Sequence, residues 1–212
     1  MSYRPILVSA LFLFLFAVVG SGLVAYTHDV TAERISDNER RALLKSLNEL
    51  VPEDRYDNDI FTDILYVHDK ELLGTDKPVP VYRARKQGWP VAVVLAPIAP
   101  DGYNGDIRLL VAINLDGTLA GVRVVQSHET PGLGDSIETS NSDWILGFTG
   151  KSLNKPGKDG WKVKRDGGEF DQFTGATITP RAVVKAVHNA LLYYRMHGHE
   201  LFEEHPEEAS KP

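Results

Sequence analysis

The residues of this 212-residue chain whose types and spacing suit chemistry gather in two short segments. One reads Asp171-Gln-Phe-Thr174-Gly175-Ala176-Thr177-Ile178-Thr179-Pro180. Gly175 and Ala176 are small enough to let a bulky phosphate approach the backbone. A helix beginning at Pro180 would turn its unpaired N–H groups and partial positive charge toward the same place. Three threonine hydroxyls add polar groups there, and the upstream Asp171 could help hold a metal or a phosphate-transferring partner. The same residues also spell a plain loop ahead of a well-capped helix, and the segment alone leaves both readings open. The other segment is Ser127-His128-Glu129-Thr130-Pro131-Gly132-Leu133-Gly134-Asp135. Two glycines around one leucine suggest backbone pressed against a flat ligand, with the leucine as an apolar platform. Taken alone, this segment reads first as a glycine-rich turn.

Other chemistries fit less well. His128 and Glu129 are sequence neighbours and point apart on an extended chain, which disfavours a shared metal. His197, His199 and His205 read as solvated polar residues, and no resident metal is expected. A hydrolase built on Asp135, Asp171 and His128 lacks a nucleophile elbow and a partner for the histidine. The chain has no cysteine, which removes disulfides, iron–sulfur clusters, thiolate zinc sites and cysteine nucleophiles. That absence fits an oxidising compartment. The formal net charge of −6 argues against a nucleic-acid partner, which needs a basic face.

The elements that must position these segments follow from patterning. Ile6 to Tyr26 is an uncharged apolar run, and a membrane-crossing helix needs roughly 20 such residues. A cleaved signal peptide is the rival. Gly20, Ser21 and Gly22 could supply its cleavage site, but the run continues through Leu23, Val24 and Ala25, so a retained anchor is expected. Arg4 before the span and Arg34, Arg40 and Arg41 after it give no clear orientation by charge. Residues 31–50 predict a separate helix with Thr31 as N-cap and Pro52 as its stop. Strands are expected over Phe61–Val67, Val79–Arg85, Trp89–Ile98, Ile107–Asn114 and Thr118–Gln126. The last two should form a hairpin about Asp116-Gly117. Asp143 is expected to cap a short helix from Trp144, and Trp161 with Val163 reads as a short strand. Residues 180–196 predict a helix capped by Thr179, with Pro180 at its first position. Its buried stripe is expected to be Val183, Val184, Val187, Ala190, Leu191 and Tyr194, and Gly198 should close it. The fold class is α+β: a mainly antiparallel sheet with flanking helices, preceded by one N-terminal transmembrane helix.

Asp171-x-x-Thr174-Gly175-Ala176-Thr177 resembles the flavinylation motif Asp-x-x-(Ser/Thr)-Gly-Ala-Thr. Glu129-Thr130-Pro131-Gly132-Leu133-Gly134 resembles the Glu-Thr-Pro-Gly-Leu-Gly loop of the FMN-binding domain family. Tyr103-Asn-Gly-Asp106-Ile and the hairpin that follows also match. With the N-terminal anchor, the likeness covers nearly the whole chain and extends to the G-subunit family of Rnf (Rsx) electron-transport complexes. These are related to the C subunit of the sodium-pumping NADH:quinone reductase.

The resemblance implies FMN joined through its phosphate to the Thr177 hydroxyl by a flavin transferase. That enzyme uses FAD and magnesium and recognises the motif, including Asp171 and Thr174. Glu129, Thr130, Gly132, Leu133, Gly134, Thr174, Gly175, Ala176, Ile178 and Thr179 are the implied cofactor contacts. It also implies an arrangement along the chain: 1–5 cytoplasmic, 6–26 transmembrane, 27–60 a helical linker, 61–200 a periplasmic FMN-binding domain and 201–212 an acidic tail. The implied partners are the other subunits of an inner-membrane, ion-translocating complex. That complex moves electrons between ferredoxin and NAD, or keeps a redox-sensing regulator reduced. The chain is not expected to be catalytic alone. The alternative is an anchored periplasmic domain that binds a small phosphorylated ligand reversibly.

Overall fold

A single helix, α1 (Arg4–Leu50), opens the chain in the computed structural model, which describes residues 3–203. The chain divides into two units, Met1–Lys45 and Ser46–Pro212. The first is helical from Arg4 onward and contains an 18-residue window of mean hydropathy 2.5 with none of it buried, long and apolar enough to cross a membrane. Two helices were expected where one runs. No glycine or proline lies between Tyr26 and Thr31 to break the helix. Thr31 is not an N-cap: its hydroxyl donates back to the Thr27 carbonyl at 2.7 Å, as Thr27 does to Leu23 at 2.9 Å. The helix ends at Leu50 because Pro52 disfavours helical backbone in the residue before it.

In the second unit the end of α1 buries Leu47 and Leu50, and Val51 just after it is buried as well. Leu50 lies over Gly121, where a Cβ would come within 2.9 Å of its Cδ2. Glu49 pairs with Arg123 at 3.0 Å beside it. The body is a six-stranded antiparallel sheet. Its strands are β1 (Ile64–Asp69), β2 (Thr75–Lys86), β3 (Trp89–Leu95), β4 (Ile98–Ala99), β5 (Ile107–Asn114) and β6 (Leu119–Gln126). A four-residue helix, α2 (Lys70–Leu73), links β1 to β2. Strand β5 pairs with β3, β4 and β6, with Leu95 opposite Val111 and Val111 opposite Val122. The Asp116-Gly117 turn forms as expected. Gly117 has φ +78, and the Asp116 carboxylate accepts the Thr118 N–H at 2.9 Å.

Several elements differ from expectation for local reasons. Phe61 is off the first strand because the Asp59 carboxylate accepts its N–H at 2.9 Å and holds a turn there. The run Trp89–Ile98 breaks at Ala96-Pro97, since proline has no N–H for the ladder. Ser142 rather than Asp143 caps the 3-10 turn Trp144–Phe148, accepting the Trp144 N–H at 3.2 Å. Trp161 and Val163 form no strand. Val163 makes one parallel bridge to Phe170, and Trp161 joins an aromatic cluster with Phe148 and Phe170.

The long helix α3 (Ile178–His197) lays Val183, Val184, Val187, Ala190 and Leu191 into the core. Its stripe continues through Tyr193, while Tyr194 is only half-buried. Gly198 follows the helix in right-handed conformation at φ −56. It is needed for close approach, since a Cβ would sit 2.5 Å from the Tyr194 carbonyl oxygen. Of the expected acidic tail, Leu201 is buried in a 3-10 turn, Glu200–Phe202. Residues 204–212, and His205 with them, lie outside the described residues.

His188 on α3 stacks on Trp161, with ring centroids 5.5 Å apart at 28°. Burial, then Arg195 and Lys158, hold its pKa below the ordinary histidine value. Below about pH 6.5 the unfolded chain takes up a proton that the folded chain resists, so stability falls with pH from there down to the depressed value. The urea midpoint of the full chain in detergent is expected to drop between pH 7.5 and 5.5, and His188→Gln to flatten that drop. An unchanged slope in the variant would place the pH dependence elsewhere.

Candidate functional site

Two tight turns of the same design face each other at one end of the sheet. After β6 the chain enters Thr130-Pro131-Gly132-Leu133, closed by Leu133 N–H to the Thr130 carbonyl at 3.1 Å. Gly132 has φ +76 behind Pro131, the residue pair a type II turn uses. The second turn is Phe173-Thr174-Gly175-Ala176, closed by Ala176 N–H to the Phe173 carbonyl at 3.2 Å, with Gly175 at φ +83. The turns touch: a Cβ on Gly175 would meet Leu133 Cδ2 at 3.4 Å.

Glu129 locks this arrangement from beneath. It is 6% exposed, and both carboxylate oxygens are used. One accepts the Asn104 backbone N–H at 3.2 Å, and the other accepts the Thr179 hydroxyl in a short hydrogen bond. Gly134 presses on the same group, and a Cβ there would come within 2.6 Å of Glu129 Oε2 and 2.8 Å of Thr179 Oγ1. One buried carboxylate thus joins the 102–105 turn, the loop after β6 and the first turn of α3. Charge-assisted bonds of this kind are roughly twice as strong as neutral ones.

The start of α3 is earlier than the sequence suggests. Thr177 is the N-cap, with φ −84 and ψ −25, and Ile178 is the first helical residue. Thr179 lies inside the first turn because its hydroxyl is drawn to Glu129, and Pro180 follows where its missing N–H still costs nothing. The Thr177 side chain makes no capping hydrogen bond, so its hydroxyl is free at the positive end of a 20-residue helix.

Between the turns and this helix end is an open cleft of about 290 Å3, lined by Tyr103, Glu129, Thr130, Leu133, Gly134 and the run Gly175–Thr179. Three apolar side chains stand exposed on its walls, Leu133 at 41%, Ile178 at 46% and Tyr103 at 64%. Of the sequence-derived site residues, Gly132 and Thr174 sit at turn corners away from the lining, and Asp171 lies outside both turns and the lining. The Asp171 carboxylate pairs with Lys164 at 2.6 Å and its carbonyl accepts the Trp144 indole N–H at 2.8 Å. Trp144 also packs edge-on against Phe173, centroids 5.2 Å apart. Sequence reasoning gave no site role to Tyr103, Asn104 or Trp144. The Asn104-Gly105 pair was the visible signal for the first two, since it marks a turn, and Gly105 has φ +109.

Other sequence candidates do not assemble. His128 is exposed with a ring nitrogen 3.4 Å from Gln126, Asp135 accepts from Asn141 at 3.1 Å, and Asp171 is paired with Lys164. No hydrogen bond or ion pair joins any two of these three. His197 and His199 contact Glu200 and Glu203 separately. Among the described residues no group of His, Asp and Glu is placed to hold a metal ion.

An anion-favouring helix end, a free hydroxyl, small residues that admit a phosphate, and exposed apolar walls for a flat ring together fit a flavin mononucleotide. Residues 102–192 match the family model for the FMN-binding domain, and residues 1–50 match that of the RnfG N-terminal region. Over 193 residues the chain is 49% identical to the G subunit of an ion-translocating oxidoreductase complex from Vibrio cholerae, covering 91% of this chain and 92% of the relative. It is 51% identical over 207 residues to the protein of the same name in Pseudomonas aeruginosa, covering 98% and 96%. The counterpart in Shewanella baltica is 45% identical over 199 residues, covering 94% of each. The chain belongs to the family of G subunits of ion-translocating oxidoreductase complexes and carries that family's FMN-binding domain.

Proposed function

We propose that this chain is a covalent-FMN electron carrier, with the cofactor esterified through its phosphate to Thr177. The observation that carries the reading is the free Thr177 hydroxyl, at a helix N-terminus, on the wall of a cleft that both turns build. In the attachment step the Thr177 oxygen bonds to the FMN phosphorus of FAD. The pyrophosphate bond breaks, AMP leaves, and the hydroxyl proton ends on it. A flavin transferase with magnesium supplies that step, as the motif implies. The first-turn N–H groups of α3 would hold the phosphate, and Leu133, Ile178 and Tyr103 would flank the ring. FMN supplies one- and two-electron redox chemistry when bound. Glu129 acts through position: it fixes Thr130, Gly134 and the start of α3 in one frame.

Esterification suits a domain outside the cytoplasm, where a diffusible cofactor would be lost. In this reading α1 anchors the chain in the bacterial inner membrane with the FMN-binding domain in the periplasm. The complex carries electrons between ferredoxin and NAD and couples this to ion movement, or keeps a redox-sensing regulator reduced. The second reading, reversible binding of a small phosphorylated ligand, uses the same cleft. Yellow colour that stays with the chain through denaturing electrophoresis supports the covalent carrier, and free ligand released on denaturation supports the other.

Trp144 has a measurable part in this reading. Trp144→Phe keeps the ring against Phe148 and Phe173 but removes the N–H bond to Asp171. One such bond contributes about 0.5–1.5 kcal/mol, so flavin attachment at limiting transferase is expected to slow roughly two- to tenfold. The folding stability should fall by no more than about the same 0.5–1.5 kcal/mol. Unchanged attachment kinetics would show that the loop is held well enough without it.

A further inference from the structure

Beside the cleft runs a strip of charge that the site does not use. The chain as a whole carries a net charge of −6, yet from Lys151 to Arg165 six side chains are basic and only Asp159 is acidic. Lys155, Lys158, Lys162, Lys164 and Arg165 are exposed. Their backbone is pinned, because Trp161 and Val163 are buried at 5% and 0% exposure, and the residues between and after them, Lys162 and Lys164, are left on the outer surface. The strip is fastened to the second turn's approach. Lys164 N–H donates to the Phe170 carbonyl at 2.7 Å, Arg165 N–H donates to Gln172 at 3.2 Å, and Lys164 pairs with Asp171. The same end is tied to α3 by the Asp166–Arg181 pair. Lys151 is also paired, with Glu169 at 3.7 Å. Among the described residues, Lys155, Lys158, Lys162 and Arg165 have no ion-pair partner.

We propose that this strip is the docking face for an acidic surface of another subunit of the same complex, which it seats beside the cleft. Basic side chains carried on one pinned outer stretch attract an opposing acidic face, and that attraction sets orientation on docking. A small phosphorylated ligand would need only a few donors. Four unpaired cations along a pinned stretch match an extended protein face instead. The inference deepens the reading above by naming the chemistry of the partner that meets the cleft, and its charge argument holds whether or not the flavin is covalent.

The test uses the native complex purified from its own membranes and treated with a water-soluble carbodiimide, which joins a lysine amine to a touching carboxylate with loss of water. Peptide mapping is expected to find Lys155, Lys158 or Lys162 joined to Asp or Glu residues of another subunit. The combined variant Lys158→Glu, Lys162→Glu, Arg165→Glu is expected to lower the cross-link yield about tenfold or more, and high salt to lower it in the parent. Cross-links confined to this chain, or strip lysines acetylated equally in the isolated chain and the complex, would overturn the proposal. Salt-sensitive binding of the isolated chain to phosphatidylglycerol vesicles through these lysines, with no inter-subunit link, would overturn it in favour of a membrane contact. Flavin content is read by mass on the same samples. Inter-subunit links on a flavin-free chain would contradict the covalent reading while upholding this one.

Discussion

Thr177→Ala is expected to yield a folded chain with no flavin that survives denaturation. The fold should persist because the Thr177 side chain makes no capping hydrogen bond. Loss of an N-cap threonine that does cap costs about 1 kcal/mol, and here that contribution is absent. The urea midpoint should therefore stay close to the parent's while covalent flavin falls from one per chain to none. Thr177→Ser keeps a hydroxyl at the same helix end and should retain attachment. Thr174→Ala and Thr179→Ala test the neighbouring hydroxyls: each keeps Thr177 and should still carry some covalent flavin, even where motif recognition or the bond to Glu129 is weakened. Thr174 is exposed at a turn corner, and the Thr179 hydroxyl is committed to Glu129. In-gel fluorescence of denatured chains compares all four. Flavin retained by Thr177→Ala and lost from Thr179→Ala would move the bond two residues along and undo the argument from the free hydroxyl.

Glu129→Ala is expected to be the most destabilising single change at the site. It strands the buried Thr179 hydroxyl, and an unsatisfied buried group costs about 1–3 kcal/mol, while the N–H of the exposed Asn104 can turn to water. That loss of about 1–3 kcal/mol is set against a typical domain stability of about 5–15 kcal/mol. The start of α3 and the 102–105 turn lose their common anchor, so the cleft should loosen together with the fold. Glu129→Gln keeps the shape and one acceptor, and should cost about 1 kcal/mol. Urea unfolding of the full chain in detergent measures both. A loss below about 0.5 kcal/mol for the alanine variant would mean that water replaces the carboxylate without penalty.

The resemblance carried by two loops made Glu129 a cofactor contact; it lines the cleft, and the geometry also gives it a positional part. Its type and place were legible in the sequence, but its partners were not, because Asn104 and Thr179 lie 25 and 50 residues away in the chain. The hairpin at Asp116-Gly117 was legible because its turn chemistry is local. The helix stripe from Val183 to Leu191 was legible from periodicity. The start of α3 was misread by two residues, since Thr177, Thr179 and Pro180 each suit a helix start and only the tertiary bond from Thr179 to Glu129 decides among them. Phe61 and Trp161 show the opposite failure. Each is an apolar residue in a strand-like run, and each is held out of a strand by a turn or an aromatic cluster that spacing does not reveal. Trp144 was read only as part of a short helix, and its hydrogen bond to Asp171 spans 27 residues.

The most direct measurement is the intact mass of the chain purified from its own membranes, followed by peptide mapping of the adduct. The account predicts a chain heavier than its polypeptide by one FMN less one water, with the added mass on the peptide containing Thr177. A native chain of bare polypeptide mass, or an adduct on any other residue, would contradict it.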